Sequence, residues 1–173
     1  MNQKVKLALA VVLAAACVFY AAFTIAKKRD AGAQLELQKS AMHELNGALR
    51  DGLRDYYADK GSYPEKLADL DAELLGGSDN KAKIVKGFIY TVGRRFYIVT
   101  WGLQWGDGPM QTHKEQAMSG KVAYVESYVD DVLQTRIEYP DGYDNPDYRV
   151  EKEYSGGSVP SVTTYRDGEV VAE

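Results

Sequence analysis

The densest set of ligand atoms in this 173-residue chain lies in Asp141-Gly142-Tyr143-Asp144-Asn145-Pro146-Asp147. Asp141, Asp144, Asn145 and Asp147 supply hard oxygen donors of the kind Ca²⁺ takes, so they are candidate calcium ligands. Their spacing lacks the twelve-residue frame and terminal glutamate of an EF-hand, and the same residue types also build solvated turns. Trp101 and Trp105 come next. If one strand runs through both, Trp101, Leu103 and Trp105 share a face, which serves either as core packing or as an aromatic platform for a glycan or a protein. His43, His113 and the single cysteine, Cys17, give no pair with zinc spacing. No glycine-rich phosphate loop and no nucleophile elbow occurs. Adjacent carboxylates such as Asp130-Asp131 are turn formers first. No catalytic residue and no cofactor beyond that possible calcium ion is therefore expected, and the chain reads as non-enzymatic.

The elements that must position these residues begin with one long helical signal. Leu7 to Ala26 is a run of 20 uncharged residues. As a helix it is about 30 Å long, matching a bilayer's hydrocarbon core. Lys4 and Lys6 precede it, and Lys27, Lys28 and Arg29 follow it, as flanking cations do at a span. The expectation is an uncleaved signal-anchor over residues 1–29 of a bacterial inner-membrane, single-pass protein, with residues 30–173 periplasmic or extracellular. Cys17 follows Leu13-Ala14-Ala15-Ala16, a partial likeness to a lipoprotein signal whose leucine stands one residue too far away. Lys27 to Asp59 contains no proline, and Leu35, Met42, Leu45, Leu49, Leu53 and Tyr56 recur on one helical face. This predicts an amphipathic helix over about residues 30–60. Asn46-Gly47 and Gly52 weaken it and mark a bend or a close contact.

Gly61 is a good residue to stop this helix. Ser62 and Glu65 have capping-box spacing, and Pro64 suits a first turn. A short helix is expected over about residues 64–75, with Leu67, Leu70 and Leu74 on its apolar face, followed by a loop at Gly76 to Asn80. Strands are expected between about residues 84 and 172. Gly87–Val92 and Arg95–Trp101 form a hairpin, Met110 to Gly120 is a polar loop or short helix, and five further strands follow as an antiparallel meander. Gly93-Arg94, Asp130-Asp131, Asp141-Gly142, Gly156-Gly157 and Asp167-Gly168 mark the turns. Net charge is −4, but from Tyr124 onward there are 12 acidic and 4 basic residues. That acidic half argues against nucleic acid as a partner.

An apolar helix running on into an amphipathic one, then Leu49, Leu53, Tyr56-Tyr57-Ala58-Asp59-Lys60-Gly61-Ser62-Tyr63-Pro64, Leu67 and Leu70, resembles type IV pilin-like proteins. The pseudopilins of bacterial type II secretion are the nearest group. The matched positions are Tyr56, Asp59, Gly61, Tyr63, Pro64, Leu67 and Leu70. The resemblance implies an α+β fold in which a long N-terminal helix, membrane-spanning and then amphipathic, packs on an antiparallel sheet. It implies a membrane-anchored structural subunit of an envelope or secretion assembly, with other pilin-like subunits or envelope assembly proteins as partners. Some pseudopilins also carry a calcium site in a sheet loop. The leader glycine and the glutamate of the mature apolar run are missing, so a permanently anchored domain is expected. The alternative is a signal-anchored periplasmic module that binds glycan or protein through its aromatic sheet face.

Overall fold

The computed structural model describes residues 3–104, 106–143, 147–154 and 159–172; within the first thirty-one residues, side chains are described only for Tyr20, Thr24, Lys27, Arg29 and Asp30. The chain forms two units, Met1–Gln38 and Lys39–Glu173. Helix α1, Gln3–Lys60, supplies all the described structure of the first unit and enters the second.

The second unit is dominated by one sheet. Strands β1 (Ile89–Val92), β2 (Phe96–Leu103), β3 (Gln111–Met118), β4 (Lys121–Val129), β5 (Val132–Glu138), β6 (Arg149–Glu153), β7 (Ser161–Arg166) and β8 (Glu169–Ala172) are hydrogen-bonded in sequence order, every pair antiparallel. The turns need left-handed backbone, and the sequence supplies it. Ser119-Gly120, Asp130-Asp131 and Asp167-Gly168 all have positive φ, the signature of tight hairpin loops.

The expected architecture, a long helix packed in the pilin manner on an antiparallel sheet, does not stand. Eight strands in one sheet, with α1 and α2 (Ser78–Gly87) as the α-helices among the described residues, make a sheet-dominant fold. Two local causes are visible. Gln111–Met118, with no phenylalanine, tyrosine or tryptophan and one β-branched residue, pairs along its full length with β2 and β4 and becomes a central strand, so ladder partners override its poor propensity. The core also stops short of the sheet's far side. Leu49 and Leu53 of α1 join Leu67, Leu70, Leu75, Ile84, Phe88, Tyr97, Val99, Trp101, Ala117, Val122 and Tyr139, whereas no residue of β6–β8 is buried.

The expected single-pass inner-membrane placement, with the C-terminal domain periplasmic or extracellular, does not stand either. Among the described residues no helix is long and apolar enough to cross a membrane. From Lys27 onward α1 carries charges too often for a span, with Lys27, Arg29, Asp30, Glu36, Lys39 and Glu44 in turn. The side chains of Leu7–Ala26, Tyr20 and Thr24 apart, lie outside the described residues, as does that of Cys17.

The helix stop is built from the residues that carried the resemblance. Gly61, at φ 69°, donates its N–H to Tyr57 O at 2.8 Å and ends α1. Tyr56 is half-buried against the core, and Asp59 is exposed and pairs with Lys60. Tyr63 is buried, its ring 4.6 Å from that of Tyr57, and its hydroxyl accepts the Gly120 N–H at 2.8 Å. Pro64 is fully buried, and its carbonyl accepts the Tyr90 hydroxyl at 3.0 Å. The Tyr-Pro step therefore ties the end of α1 to the β3–β4 turn and to β1. The short helix expected over residues 64–75 is two 3₁₀ turns, Leu67–Asp69 and Glu73–Leu75, and Asp69, not Glu65, accepts the capping N–H, from Lys66. Leu75 replaces Leu74 as the fully buried residue.

Candidate functional site

His43, Asn46 and Arg50 lie three and four residues apart and so share one face of α1. They meet His113 and Glu115 of β3, Trp101 of β2, Val125 of β4, and Ile137, Tyr139 and Tyr143 from β5 and the loop after it, around a cavity of about 140 Å³. The strand period explains the β3 contribution. His113, Glu115 and Ala117 alternate with Thr112, Lys114 and Gln116, so the first set faces α1.

Two subsites touch in this cavity. The first is aromatic. The His113 ring stacks on Trp101 with centroids 4.2 Å apart, and His43 meets each of them edge-on at 5.0 Å. His113 Nδ1 lies 3.1 Å from Ser127 Oγ, its register partner on β4. Burial, then the charges of His43 and Lys39, push His113 down to about 4. Burial, then Lys39 and Arg50, also lower His43. Both rings are therefore neutral near pH 7.

The second subsite is ionic. The Glu115 side chain is 3% exposed and pairs with Arg50, whose own side chain is 18% exposed. Glu115 also accepts the Tyr97 hydroxyl at 2.9 Å and Asn46 Nδ2 at 2.9 Å. The Arg50 guanidinium lies 3.9 Å above the Tyr143 ring. Burial by itself would lower Arg50, but the hydrogen bond and charge of Glu115 outweigh it and hold Arg50 above its ordinary value. Burial, then the charge of Glu115 and the hydrogen bond to it, raise Tyr97. Asn46 Oδ1 is buried and finds no donor among the described residues.

Chemically this is a network closed on itself except at Asn46 Oδ1. Both Glu115 oxygens are engaged by donors, Arg50 is engaged by Glu115, and His113 Nδ1 is engaged by Ser127. Such an arrangement fixes the position of α1 on the sheet and walls a small cavity. Among the described residues it holds no activated nucleophile.

The residues singled out from sequence fare differently. Trp101 is 3% exposed and belongs to the core, so the aromatic platform does not form through it, and Trp105 lies outside the described residues. Of the proposed calcium ligands, Asp144 and Asn145 lie outside the described residues, while Asp141 and Asp147 are exposed. Among the described residues no group of three or more His, Cys, Asp or Glu side chains is placed to hold a metal. Sequence reading missed Asn46, Arg50, Tyr97 and Glu115. The helical spacing of His43, Asn46 and Arg50 beside the apolar stripe was a usable signal for the first two. Glu115 sits in a polar stretch with no periodic mark, so nothing in the sequence points to it.

The chain matches no family model, no curated protein and no solved structure.

Proposed function

We propose that the protein is a non-enzymatic structural subunit of a larger assembly, with the N-terminal part of α1 as its assembly element and the sheet unit as the head that it carries. One observation supports this reading. The unit Met1–Gln38 has no described element but helix, and two of its described large apolar side chains are open, Tyr20 71% and Leu37 65% exposed, while Leu35 is half-buried. A lone helix cannot bury an apolar face on itself and gains its stability by packing against other helices. The sequence resemblance to pseudopilins makes pilin-like subunits the partners to test first and a bacterial secretion assembly the setting. The test is sedimentation velocity on the full chain together with cross-linking in its native cells. Assembly that weakens in the Tyr20→Asp, Leu37→Asp variant is the expected result. A wild-type protein that stays monomeric and cross-links to nothing refutes the reading.

A second reading, a binding module, draws on the cavity between α1 and β2–β5, which Trp101 helps to line, and no longer on an exposed aromatic sheet face. A calcium ion held by Asp141 and Asp147 with Asp144 and Asn145 would belong to either reading. A rise in melting temperature with millimolar calcium, lost in Asp141→Asn, is its test.

A further inference from the structure

We infer that β8 of one copy pairs with β1 of the next, so that the heads of successive copies join into one continuous sheet; this deepens the assembly reading and rests on it. Among the described residues both strands lie at sheet edges with a single strand neighbour, and both are four residues long. An open edge presents a row of unpaired backbone N–H and C=O groups to any strand of matching length and direction.

Direction is fixed by the topology. Eight strands in strictly alternating order mean that β1 and β8 run opposite ways. A second copy placed beyond β8 in the same orientation therefore meets it with an antiparallel β1. The meander continues without a flip, and the buried face of each head stays on one side of the sheet.

Charge then selects this joint over the symmetric ones. Residues 81–123 hold seven basic and two acidic residues, a net of +5, whereas residues 124–173 carry a net of −8. The contrast sharpens at the turns. The β1–β2 turn carries exposed Arg94 and Arg95, and the β7–β8 turn carries exposed Asp167 with exposed Glu169 beside it. The alternating order puts both turns at the same end of the sheet, so an antiparallel β8–β1 joint sets Asp167 and Glu169 of one copy beside Arg94 and Arg95 of the next. Pairing β1 with β1, or β8 with β8, in the antiparallel sense would put the two identical turns at opposite ends and leave Arg94-Arg95 and Asp167-Glu169 without these partners, and the parallel sense would bring like charges together. Exposed apolar side chains lie on both strands, Ile89 on β1 and Val170 and Val171 on β8, and the joint covers them. A contact between two different surfaces of the same chain propagates into a ring or a filament and does not stop at a dimer.

The test uses the full chain carrying the photocrosslinker p-benzoylphenylalanine at Thr91, an exposed β1 position. Peptide mapping is expected to place the intermolecular cross-link in residues 167–172. Arg94→Glu with Arg95→Glu, or Asp167→Lys with Glu169→Lys, should each lower the cross-link yield about tenfold, and mixing the two variants should restore it between complementary copies. Raising ionic strength from about 0.05 to about 0.5 M should weaken the wild-type contact. Cross-links that land on β1 or off the sheet, or no cross-link between copies, overturn the inference. Charge reversals without effect on the yield overturn the electrostatic selection. Assembly lost only in the Tyr20 and Leu37 variant, with no β1–β8 cross-link at any concentration, leaves the helix reading standing and removes this one. A β1–β8 cross-link of unchanged yield in that variant, with assembly unweakened, keeps the sheet joint and the assembly and removes the helix as the assembly element.

Discussion

Replacing Arg50 by Met tests whether the network under α1 is truly desolvated. The substitution keeps an aliphatic stem over the Tyr143 ring but removes the cation from Glu115, whose side chain is 3% exposed. Glu115 retains the Tyr97 hydroxyl and Asn46 Nδ2, each at 2.9 Å. Those are neutral donors, and a buried carboxylate left without its cation costs about 3–5 kcal/mol. Against a total stability of about 5–15 kcal/mol, that loss is about a third to a half for a domain in the middle of the range. Urea unfolding followed by tryptophan fluorescence is the assay, since Trp101 is in the core and touches the same cavity. Adding Glu115→Gln to the Arg50→Met variant should recover a large part of the loss, because the neutral amide oxygen still accepts a hydrogen bond and no charge is stranded. A loss below about 1 kcal/mol, the size of an exposed ion pair, refutes the claim that this pair is buried and coupled.

Three further outcomes are expected. Because His113 is pushed from 6.5 down to about 4 in the folded state, the unfolded chain binds the extra proton first as pH falls. Stability from this group is complete above about pH 6.5 and is lost as pH falls through about 4; the full shift corresponds to about 3 kcal/mol, reduced to about 1–2 because the ring is only partly buried. His113→Gln should flatten the pH dependence of the urea midpoint over that window, and an unchanged slope would assign it elsewhere. Gly52→Ala should destabilise by about 1–3 kcal/mol despite alanine's better helix propensity, because its Cβ would stand 2.9 Å from Leu74 O and 3.0 Å from Leu75 Cδ2. Gly47→Ala, with open space at that position, should stabilise by up to about 1 kcal/mol, so equal signs for the two glycines in thermal melts would contradict the packing described.

The sequence by itself determined the features that depend on a few neighbouring residues. Asp130-Asp131 and Asp167-Gly168 mark turns because these residue types tolerate positive φ, and the hairpins close there. Gly61 stops α1 for the same reason, and the stripe of Leu45, Leu49 and Leu53 identifies the packed face of the helix. Gly52 was legible as a position of either bend or close contact, and the approach of Leu74 and Leu75 decides for contact. What depended on distant partners was not legible. Gln111–Met118 reads as polar loop or short helix, yet it is a strand because β2 and β4 complete its ladder on both sides. Ser78–Gly87 reads in part as a loop, yet it folds as α2 and buries Ile84 in the core. The balance between helix and sheet, and with it the pilin-like architecture, could not be read from a motif that covers only the end of α1. Trp101 and Glu115 show the reason most directly. Whether an aromatic ring is a platform or a core residue, and whether a carboxylate is solvated or holds a helix in place, is set by what lies across from it. Those partners, α1 above Trp101 and Arg50 beside Glu115, stand about sixty residues away in the chain, and only the folded sheet brings them together.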